Sequence, residues 1–467
     1  MYVYIRITHA TPGSFYAHVL IREWENLIGH QLGMKNKDET MVDVAFGGGL
    51  QHFIPQTESG SKRHDNWDFK SDYKEYGWNS LSLNRTALMD LGSDDLPAIG
   101  LFSMSHLPYY LDRLTNANDE YSEVPSLVEM SDRAIHLLDS KYDHPEQGWF
   151  LMIEASRIDM CEHSNDPVCL VNEMAEMNDV LQSVFEYAEN DGNTLVVALA
   201  DHETGGVAMG RGISVQADQL VDYQAGMSPR QFSTVAHQGS FDYDVLIPPL
   251  PNLVDSIGYS YMYNWYPDAL KNATHTSEYI VSSLLATKQS VPINTLVDTV
   301  ESGFGISCSA NETSFLESML HRDPLFGNFT TNNPYFNYWS PVMVHGISLI
   351  MSSRSLTGWT THGHTGLSIY LSYFATLFIL FCLLSCGVGA ELFAGQHTNE
   401  GIGRLLSTLL QVSDLQATET QHLQDIYVKK NFTICDNTDP LPYYLYNKNV
   451  TYPEGNLLTG YCVTAYQ

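Results

Sequence analysis

Three short segments of the chain hold carboxylate and imidazole side chains at spacings that suit a metal ion. The first follows an apolar run and contains Glu154, Asp159 and His163. Asp159 and His163 are four positions apart, so one helical turn would place both on one face. A carboxylate and an imidazole are typical zinc ligands. Alone, such a pair is more often a solvated helix surface, so its interpretation depends on the other two segments.

The second segment places Asp201 and His202 directly after the apolar run at 195–200. Ligand sites in open α/β sheets lie at the carboxyl ends of strands, and a tight loop there would let both side chains reach one ion. The alternative is a helix-capping aspartate beside an unrelated histidine.

The third segment reads His362-Gly363-His364-Thr365-Gly366. The glycines on either side of His364 allow the backbone to bend its imidazole toward a site. Taken alone, the segment is more typical of a glycine-rich loop with surface histidines. The prediction of a metal site therefore rests on the three segments together.

The elements that would position these segments are short, nearly all-apolar runs, which favours a parallel sheet covered on both faces. The runs lie at 2–7, 42–46, 98–102, 150–153 and 195–200. Between them, Ser126 and Glu129 have the spacing of a capping box, and residues 171–190 carry an apolar helical stripe. The alternation of strands and helices predicts an α/β sandwich.

The charge balance restricts the class of partner. With 23 Lys+Arg against 54 Asp+Glu, the formal net charge is −31. Such a surface repels nucleic acid, so we expect no nucleic-acid binding. It also repels phosphate esters, and an enzyme that acts on them would need local positive charge, for which bound metal ions are the usual source.

The three segments, in this order, resemble the alkaline phosphatase family. The resemblance covers about residues 6–410 and includes further motifs: Thr8-His9-Ala10-Thr11-Pro12, Gly47-Gly48-Gly49, Gly100-Leu101-Phe102 and Gly389-Ala390-Glu391-Leu392-Phe393. It implies a three-layer α/β sandwich with a mostly parallel central sheet, lacking its N-terminal part. It also implies small phosphate monoesters as substrates and a homodimer. The wider superfamily of sulfatases and phosphoglycerate mutases is a less favoured alternative.

The resemblance implies a role for nine residues of the site. Asp159, His163 and His364 would bind a first zinc, and Asp201 and His202 would bind a second zinc. Glu154 and Thr11 would bind magnesium, with His9 beside that site. Arg22 would bind the substrate phosphate. His362 matches no ligand position. The implied chemistry is phosphoryl transfer with two Zn²⁺ and one Mg²⁺ through a phosphoserine.

One part of the family pattern is not found in these 467 residues. The family has an aspartate that bridges the second zinc and the magnesium, and an Asp-Ser-Ala-type helix start that supplies the nucleophile. Both belong before Thr8, and the pairs Asp139-Ser140 and Asp255-Ser256 lack the small residues that should follow. We expect an N-terminally truncated gene model; a catalytically inactive metal-binding homologue or interaction protein is the alternative.

Residues 367–387 form an uncharged stretch long enough to span a bilayer. Glycosylation sequons lie on both sides of it, and no basic residue flanks it to set an orientation. Family-like sequence also resumes at Gly389. We therefore predict an apolar insertion at 372–386, with a membrane span as the alternative.

Six N-x-S/T sequons indicate the secretory route, so we expect an extracellular or membrane-associated protein, although the first residues do not read as a signal peptide. The cysteine pairs that could form disulfides are Cys161–Cys169 and Cys435–Cys462; free buried thiols are the alternative. We divide the chain into a phosphatase domain at 1–411, with an irregular insertion or crown region at 207–345, and a polar tail at 412–467.

Overall fold

The computed structural model describes about two thirds of the chain, and the structural statements below concern these residues. They are 2–3, 6–9, 11–17, 19, 22–33, 35–36, 39–40, 42–116, 121–144, 147–209, 265–286, 290–322, 341–365, 370–371, 382–393, 397 and 399–411.

The main sheet has five strands, all parallel. In spatial order they are β5 (Ser80–Ser82), β6 (Ala98–Leu101), β4 (Val44–Gly47), β1 (Tyr2–Val3) and β7 (Met152–Ile153). Four of the five predicted apolar runs supply strands of this sheet. Because the strands are parallel, their carboxyl ends meet at one edge, where Glu154 follows β7 and His9 lies after β1.

The fifth predicted run forms a strand of a different sheet, so its expected place in the parallel sheet is wrong. β8 (Leu195–Ala198) pairs antiparallel with β14 (Cys382–Gly387), which pairs parallel with β13 (Tyr370–Leu371). Its four residues are only partly buried, whereas β4 and β6 are wholly buried. Among the described residues β8 is hydrogen-bonded along one edge only, which explains this exposure.

Three two-stranded ladders complete the described strands. They are β2 (Lys35–Asn36) with β3 (Glu39–Thr40), β9 (Glu203–Thr204) with β12 (His364–Thr365), and β10 (Ala208–Met209) with β11 (Thr357–Gly358). The last two ladders join the chain that follows β8 to the chain around His364. Distant parts of the sequence are thereby brought together beside the sheet.

Twelve α-helices lie within the described residues, besides short 3₁₀ turns. They are α1 (Glu25–Gly33), α2 (Phe69–Asp72), α3 (Arg85–Met89), α4 (Tyr110–Thr115), α5 (Leu127–Lys141), α6 (Arg157–His163), α7 (Pro167–Asp191), α8 (Ser277–Ala286), α9 (Ile293–Phe304), α10 (Ala310–Arg322), α11 (Pro341–Ser355) and α12 (Asn399–Leu409).

Helices cover both faces of the main sheet. Successive residues of a strand point to opposite faces. Accordingly, Val44 and Phe46 pack in a core with Met130 and Leu137 of α5, while Ala45 packs in a second core with residues of α1. The three-layer α/β sandwich predicted from the sequence is confirmed.

The two predicted helices are confirmed, and local chemistry fixes their ends. Ser126 and Glu129 form the capping box expected at the start of α5. Helix α7 begins earlier than the apolar stripe indicated, because Asp166 caps it and Pro167 occupies its first turn. It ends at Gly192, whose φ of 70° is readily adopted by glycine.

A disulfide joins Cys161 of α6 to Cys169 of α7, with 5.4 Å between their Cα atoms, so that predicted pairing is confirmed. Cys435 and Cys462 lie outside the described residues. The covalent link fixes the short helix α6 against the long helix α7.

The expected irregularity of 207–345 is wrong for the part that is described. Residues 277–322 are mostly helical, and α8 and α9 contribute Ile280, Leu296 and Phe304 to a core cluster. Within the apolar segment, Cys382–Gly387 forms β14, and the tail at 412–467 lies outside the described residues. No helix among the described residues combines the length and apolarity that crossing a bilayer requires.

Candidate metal centre

Asp159, His163 and His364 converge on one point at the edge of the fold. Their potential ligand atoms all lie within 4.8 Å of one another. The Oδ1 atom of Asp159 is 3.4 Å from Nε2 of His163 and 3.7 Å from Nε2 of His364. The three side chains are 37%, 40% and 50% exposed, so an ion can reach them from solvent.

Two local structures produce this convergence. Asp159 and His163 lie one turn apart on α6, as their spacing predicted. His364 begins β12, which pairs antiparallel with β9 and places His364 opposite Thr204. Burial, and after it the neighbouring His202, lower the pKa of His364, which favours the neutral imidazole that a metal requires.

The hydrogen bond of His163 orients its imidazole for metal binding. Nδ1 of His163 lies 2.6 Å from the carbonyl oxygen of His362, which can only accept, so Nδ1 carries the proton. The lone pair is therefore on Nε2, the atom that faces Asp159. His362 returns a bond from its own Nδ1 to the carbonyl oxygen of His163 at 3.0 Å.

Thr204 links this group to the predicted second zinc pair. Its hydroxyl donates to Oδ1 of Asp159 at 2.7 Å and lies 3.1 Å from Nδ1 of His202. Because the hydroxyl proton goes to Asp159, Nδ1 of His202 is the donor and its Nε2 atom holds the lone pair. The imidazoles of His202 and His364 stack with ring centroids 3.5 Å apart. Nε2 of His202 is 3.4 Å from Oδ2 of Asp201.

Glu154 and Thr11, the predicted magnesium pair, also meet. The Oε2 atom of Glu154 is buried without a protein partner, and the hydroxyls of Ser156 and Thr11 lie close to its carboxyl group, where they oppose a rise in its pKa. Burial, followed by the charge of Asp201, raises the pKa of Glu154 to about 8. A buried carboxylate oxygen without a donor is costly, and a cation would offset that cost. Thr11 has a φ of 57°, a left-handed conformation rare for a β-branched residue and common at functional sites.

Arg22 lies at the same edge and contacts His9. Its Nη2 atom is 3.0 Å from Nε2 of His9, and since a guanidinium can only donate, Nε2 of His9 accepts. Burial, followed by the charge of Arg6 and then that of Arg22, lowers the pKa of His9 to about 3, which keeps its imidazole neutral. Arg22 itself is exposed at the surface.

Two glycines allow the second and third segments to pack closely. The amide of Gly205 donates to the carbonyl oxygen of Gly363 at 2.9 Å. Gly205 and Gly206 have φ values of 81° and 59°, and a Cβ atom on Gly206 would lie 1.7 Å from the hydroxyl of Thr360. Larger residues at these positions would separate His202 from His364.

Thr204 and the positioning contact of His362 were not predicted from the amino-acid sequence. Thr204 carries a detectable signal, since it lies two positions after His202 in a strand-like sequence and therefore points the same way. The contribution of His362 comes through its backbone carbonyl, for which residue type gives no signal.

This geometry can be compared with known proteins. The chain matches the family model described as alkaline phosphatase over residues 3–290. It is 30% identical over 419 residues to an alkaline phosphatase of Schizosaccharomyces pombe, with 89% of this chain and 63% of the relative covered. The chain belongs to the alkaline phosphatase family. The resemblance inferred from the motifs is thus confirmed.

Other alkaline phosphatases agree with this assignment. The repressible alkaline phosphatase of Saccharomyces cerevisiae is 29% identical over 442 residues, covering 90% of this chain and 66% of the relative. The chain thus spans slightly under two thirds of the length of these two curated relatives. A solved alkaline phosphatase from Shewanella sp. shares the fold, with a TM-score of 0.58, 20% identity, and 88% of this chain and 75% of that chain covered.

Proposed function

We propose that the chain carries the metal-binding and phosphate-binding part of an alkaline phosphatase that hydrolyses small phosphate monoesters. The observation that carries the proposal is the convergence of Asp159, His163 and His364, with the Nε2 lone pair of His163 directed at Asp159. One carboxylate and two imidazoles are a typical donor set for zinc.

The remaining predicted ligands fit the same proposal. Asp201 and His202 would hold a second zinc, and Glu154 with Thr11 would hold magnesium, for which the buried Oε2 atom of Glu154 is the best support. When bound, these ions supply Lewis-acid charge that stabilises the attacking and leaving oxygens of phosphoryl transfer. In each of these two sites the described residues offer two side-chain ligands.

Arg22 would bind the substrate phosphate. A guanidinium forms paired hydrogen bonds with two oxygens of a phosphate, and His9 holds one side of the Arg22 guanidinium in place. Local positive charge matters in this chain because its net charge of −31 repels phosphate esters at long range. The role of His9 in this arrangement is to orient Arg22 by accepting its hydrogen bond.

This function is tested by measuring whether the chain binds inorganic phosphate, the product of the reaction, in a zinc-dependent way. Binding is measured by calorimetry on the chain loaded with Zn²⁺ and Mg²⁺. Arg22→Ala should weaken phosphate binding by about tenfold or more, because it removes charge-assisted hydrogen bonds. Arg85→Ala is the matched control, since Arg85 pairs with Glu129 on distant helices. Phosphate binding that needs no metal, or that survives Arg22→Ala unchanged, would contradict the proposal.

Turnover distinguishes the enzyme from a second candidate, a metal-binding homologue without activity. The observation that favours the second candidate is that no Asp-Ser-Ala-type segment occurs in the 467 residues. A phosphoserine mechanism needs that serine, so we expect this polypeptide alone to hydrolyse p-nitrophenyl phosphate poorly or not at all. Robust, chelator-sensitive turnover by the purified 467-residue chain would contradict this expectation.

Secretion, a homodimer and an apolar insertion at 372–386 remain part of the proposal. The three sequon asparagines that the structure describes, Asn84, Asn272 and Asn311, are all exposed, which supports glycosylation on the secretory route. A mass decrease after endoglycosidase treatment of the secreted protein would test this. An unchanged mass would count against it.

A further inference from the structure

Arg157 is a buried cation that has no role in the site as described so far. It is the first residue of α6 and is only 6% exposed. Among the described residues no carboxylate lies within ion-pair distance of it, although burial of an unpaired charge is costly. Its surroundings must therefore compensate the charge by other contacts.

Those contacts fix the start of α6 to the chain segment that contains Leu107 and Tyr109. Nε of Arg157 donates to the carbonyl oxygen of Leu107 at 2.9 Å, and Nη2 donates to the same oxygen. The guanidinium lies 3.9 Å from the ring centroid of Tyr109, a distance at which a cation is attracted to an aromatic face. The hydroxyl of Tyr109 in turn donates to Glu278 of α8.

The position of Arg157 in the chain gives these contacts a consequence for the metal ligands. It lies three residues after Glu154 and two before Asp159, so the first turn of α6 moves with it. Helix α6 has only seven residues, too few to hold a fixed orientation without tertiary contacts. The disulfide at Cys161 anchors its middle, whereas its start is anchored through Arg157.

We propose that Arg157 is a positioning residue, whose paired hydrogen bonds to Leu107 and contact with Tyr109 hold α6 so that Asp159 and Glu154 face their metal ions. The inference rests on the metal site proposed above. Lysine cannot replace arginine in this role, because an ammonium lacks the planar fork that donates twice to one oxygen while it stacks on a ring. A role that needed only positive charge would instead tolerate lysine.

The experiment measures zinc affinity of the metal-free full chain by competition with a chromophoric chelator, and the absorption spectrum of the Co²⁺-loaded chain as a report on coordination geometry. Arg157→Met and Arg157→Lys should each weaken zinc binding about tenfold to a hundredfold, as loss of supporting contacts around metal ligands does, and should change the Co²⁺ spectrum. Tyr109→Leu should also weaken zinc binding. It provides the test if the Arg157 variants do not fold.

Arg113→Met is the matched control. Arg113 is also a largely buried arginine that lies over a tyrosine, Tyr110 of α4, and pairs with Glu176 of α7, so these partners lie outside α6. It should lower stability while zinc affinity stays at the wild-type value. Wild-type affinity in Arg157→Met, full rescue by Arg157→Lys, or an equal loss in Arg113→Met would each overturn the positioning role. If the wild-type chain bound no zinc, the proposed function itself would fail, and the positioning role with it.

Discussion

Two groups of acidic side chains in this protein differ in the donors that surround their oxygens. One group lies among the helices and includes Asp112, Asp166 and Glu173. The other lies at the site edge and includes Glu154 and Asp159. Burial raises the pKa of Glu173 in the first group and of Glu154 in the second to about 8, so burial alone does not separate these two acids. The donors that surround their oxygens do.

The helical group is satisfied by protein donors. Both oxygens of Asp112 accept from Thr276, through its amide at 2.9 Å and its hydroxyl at 2.7 Å. Asp166 accepts from the amides of Val168, Cys169 and Ser277. These carboxylates cap helices and tie α4, α7 and α8 together, which is a structural role.

The edge group has fewer protein donors and more imidazole neighbours. Oε2 of Glu154 is buried without a partner, and Asp159 accepts from Thr204 while it faces His163 and His364. A carboxylate beside lone-pair-bearing nitrogens cannot be stabilised by those nitrogens unless a cation lies between them. The pattern of donors around an acid, rather than its burial, therefore distinguishes a metal ligand from a structural carboxylate.

The largest effect is expected for a ligand of the converged group. His364→Ala removes one of three donors and should lower zinc affinity by more than about a hundredfold, beyond what loss of supporting contacts causes. Zinc affinity is measured by competition with a chromophoric chelator. His136→Ala, at an exposed position of α5, should leave affinity unchanged. Equal zinc affinity in the two variants would remove His364 from the ligand set.

A pair of matched substitutions tests the two groups of acids directly. Asp159→Asn should weaken zinc binding about tenfold or more without lowering the stability of the metal-free chain, because the amide oxygen can still accept from Thr204 while the charge that binds the ion is lost. Asp112→Asn should lower stability by about 1–3 kcal/mol, because the bonds from Thr276 are weakened, with unchanged zinc affinity. Denaturant unfolding and chelator competition measure both properties. If Asp159→Asn and Asp112→Asn changed stability and zinc affinity in the same way, the distinction between the two groups of acids would be wrong.

A smaller effect is expected from Thr204, which touches ligands of both predicted zinc sites. Thr204→Val keeps the shape but removes the hydroxyl, and should weaken zinc binding about tenfold. Thr299→Val, on α9, is the control, since its hydroxyl bonds only within its own helix. A Thr204→Val chain with wild-type affinity would show that the hydroxyl does not orient Asp159 or His202.

The smallest effect is expected for the dependence of folding stability on pH, to which the helical group of acids contributes. Burial raises the pKa of Glu173 to about 8, above its ordinary value in an unfolded chain. Between about pH 5 and 8 the folded state therefore keeps a proton that the unfolded state has lost, so stability falls as pH rises through this window. Denaturant unfolding of the metal-free chain should therefore show lower stability at the upper end of this window than at the lower end.

Glu173→Gln should reduce that dependence, because an amide has no proton to lose; the remaining slope comes from Asp112, Glu154 and Glu162, whose pKa values burial also raises. Glu189→Gln, at an exposed position of the same helix, should leave it as in the wild type. A Glu173→Gln chain with the full slope would show that another group controls the pH response.

The sequence predicted the parts of the site that local geometry determines. The four-residue spacing of Asp159 and His163 is enough to place them on one turn, and the apolar runs before Glu154 and Asp201 indicate strand ends. It did not predict the antiparallel pairing of β8 with β14, because pairing between distant strands leaves no local periodicity. Backbone contacts, such as the carbonyl oxygen of His362 on His163, are likewise independent of residue type.

The most direct test of the account is X-ray absorption at the zinc edge of the metal-free chain given one equivalent of Zn²⁺. We predict a tightly bound ion with two imidazole nitrogens and a carboxylate oxygen among its donors, and loss of one imidazole in His364→Ala. A tightly bound zinc with no imidazole donors, with sulfur donors, or with an unchanged shell in the variant would contradict it.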